Sequence, residues 1–420
     1  MEPSALAVGG RRVVVDLEDL RRSMEHDAFI VETVRTPIGR AGHSLSECRP
    51  DDLAALVVNS VLQRAGCPGE VVDDVIIGAA NQAGEDNRNV GRMAAMLAGL
   101  PLSVPGMTVN RLCASGLSSI AIAASMVRSG EADIVIAGGV ESMTRAPWVM
   151  AKPSKAWSRP GEIADTTLGW RFVNPKMQTF DGGMATIGLG ETAEEVAKLD
   201  GITREECDEL ALASHQRAVR ALDRGDFDAE IVTVDTKSGP VALDDGPRRD
   251  TSMERLAALK PAFREGGVVT AGNSSPLNDG AAAVIVANAK GLERIGVSAR
   301  ARIVASASAG VAPSLMGLGP VPATEKLMGR LSMSVDQLDA VEMNEAFAAQ
   351  VIACERRLHL DHEIVNADGG AIALGHPLGA SGARLVVTLL GRLERNGGRF
   401  GMATMCVGVG QGVSLLIERI

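Results

Sequence analysis

Short apolar runs alternate along the chain with longer stretches of helical spacing. Residues 28–34 predict a first strand, stopped by Arg35-Thr36-Pro37. Residues 52–65 have the pattern of an amphipathic helix, with Asp51 or Asp52 near its cap. A strand at 71–79, a helix at 88–97 and a strand ending at Thr108-Val109 follow. The small apolar residues of 115–129 predict a helix buried on most sides. Residues 133–137 form a continuous apolar run, as in a sheet covered on both faces.

From about Thr144 to Pro276 this rhythm stops. The stretch holds all three Trp, many charges, and loop signals such as Asp181-Gly182-Gly183 and Asp244-Asp245-Gly246-Pro247. Only 192–199 and 204–223 read as clear helices, so the stretch reads as an insertion. The alternation then resumes. Strands are expected at 281–287, 301–307, 340–343, 400–405 and 413–418, and helices at 323–331, 346–358 and 381–395. The second half repeats the first in pattern, without strong residue identity. The expectation is a duplicated α/β fold whose sheets are both covered by helices. Residues 1–26 read as an N-terminal extension. Residues 27–143 with 277–298 form one half, 144–276 the insertion, and 299–420 the other half.

Composition narrows the function. The net charge is −10, with 7 Phe, 3 Trp and no Tyr. Such a chain lacks the basic footprint and the stacking surface of a nucleic-acid binder. No apolar run approaches the roughly 18 residues of a membrane span. The N-terminus has no apolar signal core, and Glu2, Asp16, Glu18 and Asp19 argue against a transit peptide. The C-terminus is not a peroxisomal address. The six cysteines (48, 67, 113, 207, 354, 406) include no CxxC pair, so neither a metal site nor a disulfide framework is indicated. A cytoplasmic protein is expected.

Four positions could carry chemistry. Cys113, in Asn110-Arg111-Leu112-Cys113-Ala114-Ser115-Gly116, sits between a predicted strand and a predicted helix. The positive end of the helix dipole is expected to lower its pKa; the alternative is an inert buried cysteine. His376 lies between Gly375 and Pro377 on a tight loop before a helix, where its imidazole could exchange protons. The alternative is a turn histidine bonded to backbone. Cys406 opens Cys406-Val407-Gly408-Val409-Gly410-Gln411-Gly412, whose glycines leave backbone N–H groups open to a ligand. The alternative is a glycine-rich hairpin. As a dinucleotide fingerprint the segment is poor, with no following helix and no ribose-binding acid. Asn344 stands at a strand-to-helix junction, where an N-cap is the simple alternative. Two cysteines and a histidine are what carbon–carbon chemistry through a thioester requires. One thiol holds the acyl group, and a second acid/base moves a proton on the α-carbon. Backbone N–H groups near Cys113 and Gly408 could hold the oxyanions.

Over roughly residues 28–420 the sequence resembles the thiolase family. The likeness rests on the Asn110–Gly116 segment, Gly138-Gly139-Val140-Glu141-Ser142-Met143, Gly272-Asn273-Ser274-Ser275, Asn278-Asp279-Gly280-Ala281-Ala282-Ala283, Asn344-Glu345-Ala346-Phe347, Gly375-His376-Pro377 and the terminal glycine-rich run. The resemblance implies thiolase-like duplicated βαβαβαββ halves in an α-β-α-β-α core, with a loop domain binding coenzyme A. It implies Cys113 as acylated nucleophile, His376 as its activator and Cys406 as acid/base. Asn344 with His376 would hold an oxyanion-binding water, and the N–H groups of Cys113 and Gly408 a second oxyanion. Coenzyme A would be a co-substrate, with no permanently bound cofactor. Ser275 would lie near its pantetheine, Arg248 near its nucleotide and Met316 in the acyl pocket, with Ala271 a further coenzyme A contact. A homo-oligomer, dimer or tetramer, is implied. The sequence departs from the family at Gly188-Leu189-Gly190-Glu191-Thr192 and at Asn273-Ser274-Ser275-Pro276, which bears on substrate preference.

Two stretches, 81–89 and 165–175, look like those of 3-oxoadipyl-CoA thiolases. Related short-chain acetyl-CoA acetyltransferases, acting on acetoacetyl-CoA, can carry similar ones. A ketoacyl-synthase-like condensing enzyme and a non-catalytic CoA- or lipid-binding relative are further alternatives. The first would lack a C-terminal catalytic Cys, and the second would have lost one of Cys113, His376 and Cys406.

Overall fold

The computed structural model describes residues 7–8, 11–12, 27–153 and 155–420. The extension expected at 1–26 lies outside the described residues, apart from a pairing of Ala7–Val8 with Arg11–Arg12.

The first half contributes strands β1 (Ala28–Arg35), β2 (Asp74–Gly78), β3 (Met107–Val109), β4 (Ile134–Ser142) and β5 (Asn278–Ala287). The second contributes β6 (Ala301–Gly310), β7 (Ala340–Met343), β8 (Phe400–Val407) and β9 (Gln411–Arg419). They lie in the order β7-β8-β9-β6-β1-β5-β4-β2-β3, within a ten-stranded sheet completed by Gly39–Arg40 on β5. From the centre outward each half has the same order. Where the first half has β3, the second has only a parallel bridge between Val341 and Val365. The two sheets expected from the sequence are joined edge to edge, because β6 pairs antiparallel with β1 at Ala301↔Ile30, Arg302↔Phe29 and Ile303↔Ala28.

The main helices are α1 (Pro50–Ala65), α2 (Val90–Leu97), α3 (Ser115–Ser129), α4 (Leu189–Asp200), α5 (Arg204–Arg224), α6 (Pro320–Leu331), α7 (Ala348–Leu358) and α8 (Leu378–Asn396). The period-2 alternation of the strands sorts the core into layers. Val135 and Ala137 of β4 pack in one cluster with residues of α3 and α8, whereas Ile134 and Ile136 pack with α1 and α2. In the second half a further cluster brings α6 and α7 against the opposite face. The helix pair α3/α8 is therefore the middle layer. Residues Leu112–Ser129 are long and apolar enough by composition to span a bilayer, at a mean hydropathy of 1.3. In the fold, 61% of that window is buried between the two halves.

The pair meets through glycine. A Cβ at Gly382 would lie 2.3 Å from the Leu117 nitrogen, and one at Gly116 would lie 2.7 Å from the Gly379 oxygen. No larger residue permits that crossing. Arg35, at the end of β1, ties in the inserted stretch. Its fully buried guanidinium bonds Glu230 at 2.7 Å and Asp244 at 2.7 and 3.0 Å. Removing one partner would leave an uncompensated buried charge and be strongly destabilising.

Candidate functional site

The ends of α3 and α8 that meet at this crossing also carry the loops singled out in the sequence. Cys113 lies just before α3. Asn110 Oδ1 accepts from the Leu112 N–H at 2.9 Å, and Asn110 Nδ2 donates to the Ala80 oxygen at 2.9 Å. The Arg111 N–H donates to Ser115 Oγ at 2.9 Å, and that hydroxyl donates to the Leu112 oxygen at 2.6 Å. Together these bonds hold Leu112 at φ 47°, a left-handed conformation costing about 1–3 kcal/mol outside glycine. Cys113 is 8% exposed, and the Gly408 N–H bonds its thiol. Burial pushes that thiol up to about 11, against the downward pull of the Gly408 and Cys113 N–H groups. The lowered pKa expected from the helix dipole is therefore overturned, since desolvation of a fully buried thiolate outweighs a helix end.

His376 is buried, and its N–H donates to Asn278 Oδ1 at 2.9 Å. Gly375 before it adopts φ 114°, and a Cβ there would lie 2.4 Å from Asn278 Nδ2. The histidine Nδ1 faces Ser381 Oγ at 2.6 Å, and that hydroxyl donates to the Pro377 oxygen at 3.1 Å. Ser381 Oγ is then an acceptor for Nδ1–H, which assigns the lone pair to Nε2. Asn344 Nδ2 approaches Nε2 at 3.4 Å. Burial first, then Arg384, lowers the imidazole to about 3. Asn344 is not an N-cap. Helix α7 starts at Ala348 with Phe347 before it, and Asn344 is fully buried with its Oδ1 bonded to nothing among the described residues.

Cys406 is 1% exposed near the end of β8. Burial pushes its thiol well above the usual range, with Cys113 the next cause. It packs with Met316, Ala346 and Phe347. The following glycines do form a hairpin, with Val407 paired to Gln411. Its turn places the Gly408 N–H over Cys113, so the structural and chemical readings of this segment coexist. Behind the site, Glu141 accepts N–H bonds from Ala80, Asn81 and Gly379 at 2.9, 3.1 and 2.8 Å. It links the end of β2 to the start of α8, and burial raises its carboxyl to about 7.

Two openings flank these residues. One holds Cys113 and Gly408 against Leu168, Trp170 and Arg171 of the insertion. The other is lined by Arg248 and Ala271 with Arg40, His215 and Ser274. The Arg248 N–H donates to His215 Nδ1 at 3.2 Å, and burial with Arg248 lowers that imidazole to about 4. Ser275 does not line this second opening. Its N–H and Oγ both turn to the Ala346 oxygen, at 3.0 and 3.2 Å. Met316 lies instead beside Cys406. Among the described residues, no group of three or more His, Cys, Asp or Glu could hold a metal ion. Sequence reasoning gave no role to Asn278, Ser381 or His215. Ser381 stood in the glycine-rich loop and could have been found there. His215 lies inside α5 with no local signal.

Comparison with known proteins shows what the chain as a whole is similar to. The family model for the thiolase N-terminal domain matches residues 28–290, and that for the C-terminal domain matches 297–419. A beta-ketoadipyl-CoA thiolase of Pseudomonas aeruginosa is 53% identical over 404 residues, covering 94% of this chain and all of the relative. An Escherichia coli 3-oxoadipyl-CoA/3-oxo-5,6-dehydrosuberyl-CoA thiolase is 52% identical, with 94% and 100% covered. The crystal structure of human mitochondrial 3-ketoacyl-CoA thiolase in complex with CoA superposes with a TM-score of 0.87 at 36% identity, covering 94% of this chain and 99% of that one.

Proposed function

The chain belongs to the thiolase family, and on that premise we propose that it cleaves 3-oxoadipyl-CoA with coenzyme A to acetyl-CoA and succinyl-CoA. It is an acyltransferase, and its reaction runs in reverse as a Claisen condensation. The observation that supports the mechanism is the Gly408 N–H bonded to the Cys113 thiol, with His376 oriented by Ser381 in the loop leading into the crossing helix α8.

In this proposal the Cys113 sulfur attacks the 3-keto carbon as its proton passes to His376 Nε2. The Ser381 bond holds that nitrogen in the accepting tautomer. Asn344, His376 and the Cys113 and Gly408 N–H groups serve as oxyanion donors, each such donor being worth about 100- to 1000-fold in rate. The C2–C3 bond then breaks, and the acetyl-CoA enolate takes its proton from Cys406. A thiol held well above its usual pKa keeps that proton until so strong a base forms. Free CoA next gives its thiol proton to the Cys406 thiolate and attacks the acyl group. Cys113 leaves and recovers its proton from His376. CoA would lie along the opening of Arg248 and Ala271, with Ser275 and Met316 on the path to the cysteines. The same reading includes a cytoplasmic homo-oligomer, and all six cysteines are free thiols.

The test is a CoA-dependent cleavage assay on 3-oxoadipyl-CoA, 3-oxohexanoyl-CoA and acetoacetyl-CoA, with the acyl-enzyme mapped after digestion. The expected result is preference for 3-oxoadipyl-CoA and succinylation of Cys113. Preference for the straight apolar chain would remove the adipyl assignment. An acyl group on any other residue would remove the nucleophile assignment.

A further inference from the structure

We propose that Arg171 is the residue that selects a carboxylate-ended acyl chain, by pairing with the terminal carboxylate of the substrate. This rests on the 3-oxoadipyl reading above and names the group that would enforce it.

The opening that exposes Cys113 and Gly408 is walled on its outer side by Thr166, Leu168, Trp170 and Arg171. Arg171 is the one charged side chain on that wall. The other polar groups there are already engaged. Asn81 Nδ2 donates to Thr166 Oγ1 at 2.9 Å, and Thr166 Oγ1 donates to the Pro147 oxygen at 2.6 Å. Thr167 turns back to Asp165. The half-buried Arg171 guanidinium makes no hydrogen bond or ion pair within the described residues. The acid that senses it, Asp86, is buried and accepts the Gly84 N–H at 2.8 Å. The remaining carboxylate near the opening, Glu141, is occupied by three backbone N–H groups. A wall whose other polar groups are engaged, with one unpaired, planar, five-donor cation, suits a carboxylate, which guanidinium binds through two parallel bonds.

Succinyl on Cys113 would carry its carboxylate three carbon–carbon bonds of about 1.5 Å beyond the thioester carbon, into the opening that Cys113 and Arg171 both line. Acetyl ends well short of that point. A butyryl group of equal length would bring a methyl to the guanidinium and leave the cation unpaired, which disfavours it. Trp170 fixes the wall. Its indole N–H donates to the Ile187 oxygen at 3.2 Å, and its ring edge lies 3.0 Å from where a Gly408 Cβ would stand.

The experiment measures kcat/KM of the full chain and of Arg171→Met and Arg171→Lys on 3-oxoadipyl-CoA, 3-oxohexanoyl-CoA and acetoacetyl-CoA. The expected result is a fall of about 30-fold or more in the 3-oxoadipyl to 3-oxohexanoyl ratio for Arg171→Met, with a smaller fall for Arg171→Lys, which keeps charge but loses the bidentate fork. An unchanged ratio in Arg171→Met overturns the assignment. So does an equal loss on acetoacetyl-CoA, which would mean a role in shape or chemistry rather than in carboxylate recognition. If the unaltered protein already prefers 3-oxohexanoyl-CoA, the 3-oxoadipyl reading fails and this inference with it. A carboxylate preference that survives Arg171→Met removes Arg171 alone.

Discussion

A Cys113 thiol near 11 and a His376 imidazole near 3 do not form a resting thiolate–imidazolium pair at neutral pH. Both shifts have the same physical cause. Burial disfavours the charged form of each group, so each is held uncharged. Under the proposed mechanism, proton transfer becomes favourable only as the carbon–sulfur bond forms and the new oxyanion meets its donors. The consequence is measurable without substrate. At pH 8 a thiol of pKa about 11 is thiolate in about one molecule per thousand. Iodoacetamide alkylation of Cys113, followed peptide by peptide, should keep rising through pH 9 and 10. A plateau below pH 8 would reveal a resting ion pair and defeat this account. At this scale the candidate atoms were legible in the sequence, but their charge states were not. Cys113, His376, Asn344 and Cys406 stood out through their local motifs. Burial comes from residues far away in the chain, so the sign of the Cys113 shift was misread from its helix end alone.

Between elements, the important contact is the crossing of α3 and α8. The two helices hold equivalent places in the two halves, each entering from a loop that carries a candidate catalytic side chain. Their separation sets the distance between those loops. Gly382→Ala puts a methyl 2.3 Å from the Leu117 nitrogen, where backbone must move. It should cost about 1–3 kcal/mol of stability and lower thiolysis. Gly329→Ala is the internal comparison. Gly329 lies in α6 with nothing within 4 Å of its Cβ position, so the same change should be neutral or stabilising there. Equal denaturation midpoints for the two variants would show that the crossing is not tight. The element order was legible from apolar period, but the ends nearest the site were not. Strand β4 runs to Ser142 where the apolar run predicted 137, and β5 begins at Asn278 where it predicted 281. In both, glycine and polar residues continue the strand into the site, because there the backbone pairs while the side chains serve the loops.

At the scale of the molecule, the two halves differ in one place that matters for function. Between β8 and β9 the chain makes a short turn at Gly408-Val409-Gly410, which brings an N–H group onto Cys113. At the equivalent place between β4 and β5, the first half inserts the long stretch that supplies both openings. The duplication and the insertion were legible as rhythm and its loss. The pairing of β1 with β6, which makes one sheet of two, was not, since edge strands carry no sign of which edge they meet. The insertion is also unevenly anchored. Helices α4 and α5 are buried against the second half, and Arg35 clamps Glu230 and Asp244. By contrast Trp148, Phe172 and Phe180 are 73%, 58% and 58% exposed. The stretch around Arg171 has few buried apolar contacts and short strands, features of a low local unfolding free energy. The pocket floor has the opposite character, since β4 is wholly buried and α3 and α8 are mostly so. Native-state hydrogen exchange should therefore show the amides of 161–180 exchanging orders of magnitude faster than those of β4 and α8. Succinyl-CoA should slow them selectively if Arg171 closes on the carboxylate, and butyryl-CoA should do so less. Protection of 161–180 equal to that of β4 in the free protein would mean a rigid wall, and selection would then rest on a preformed guanidinium rather than on closure.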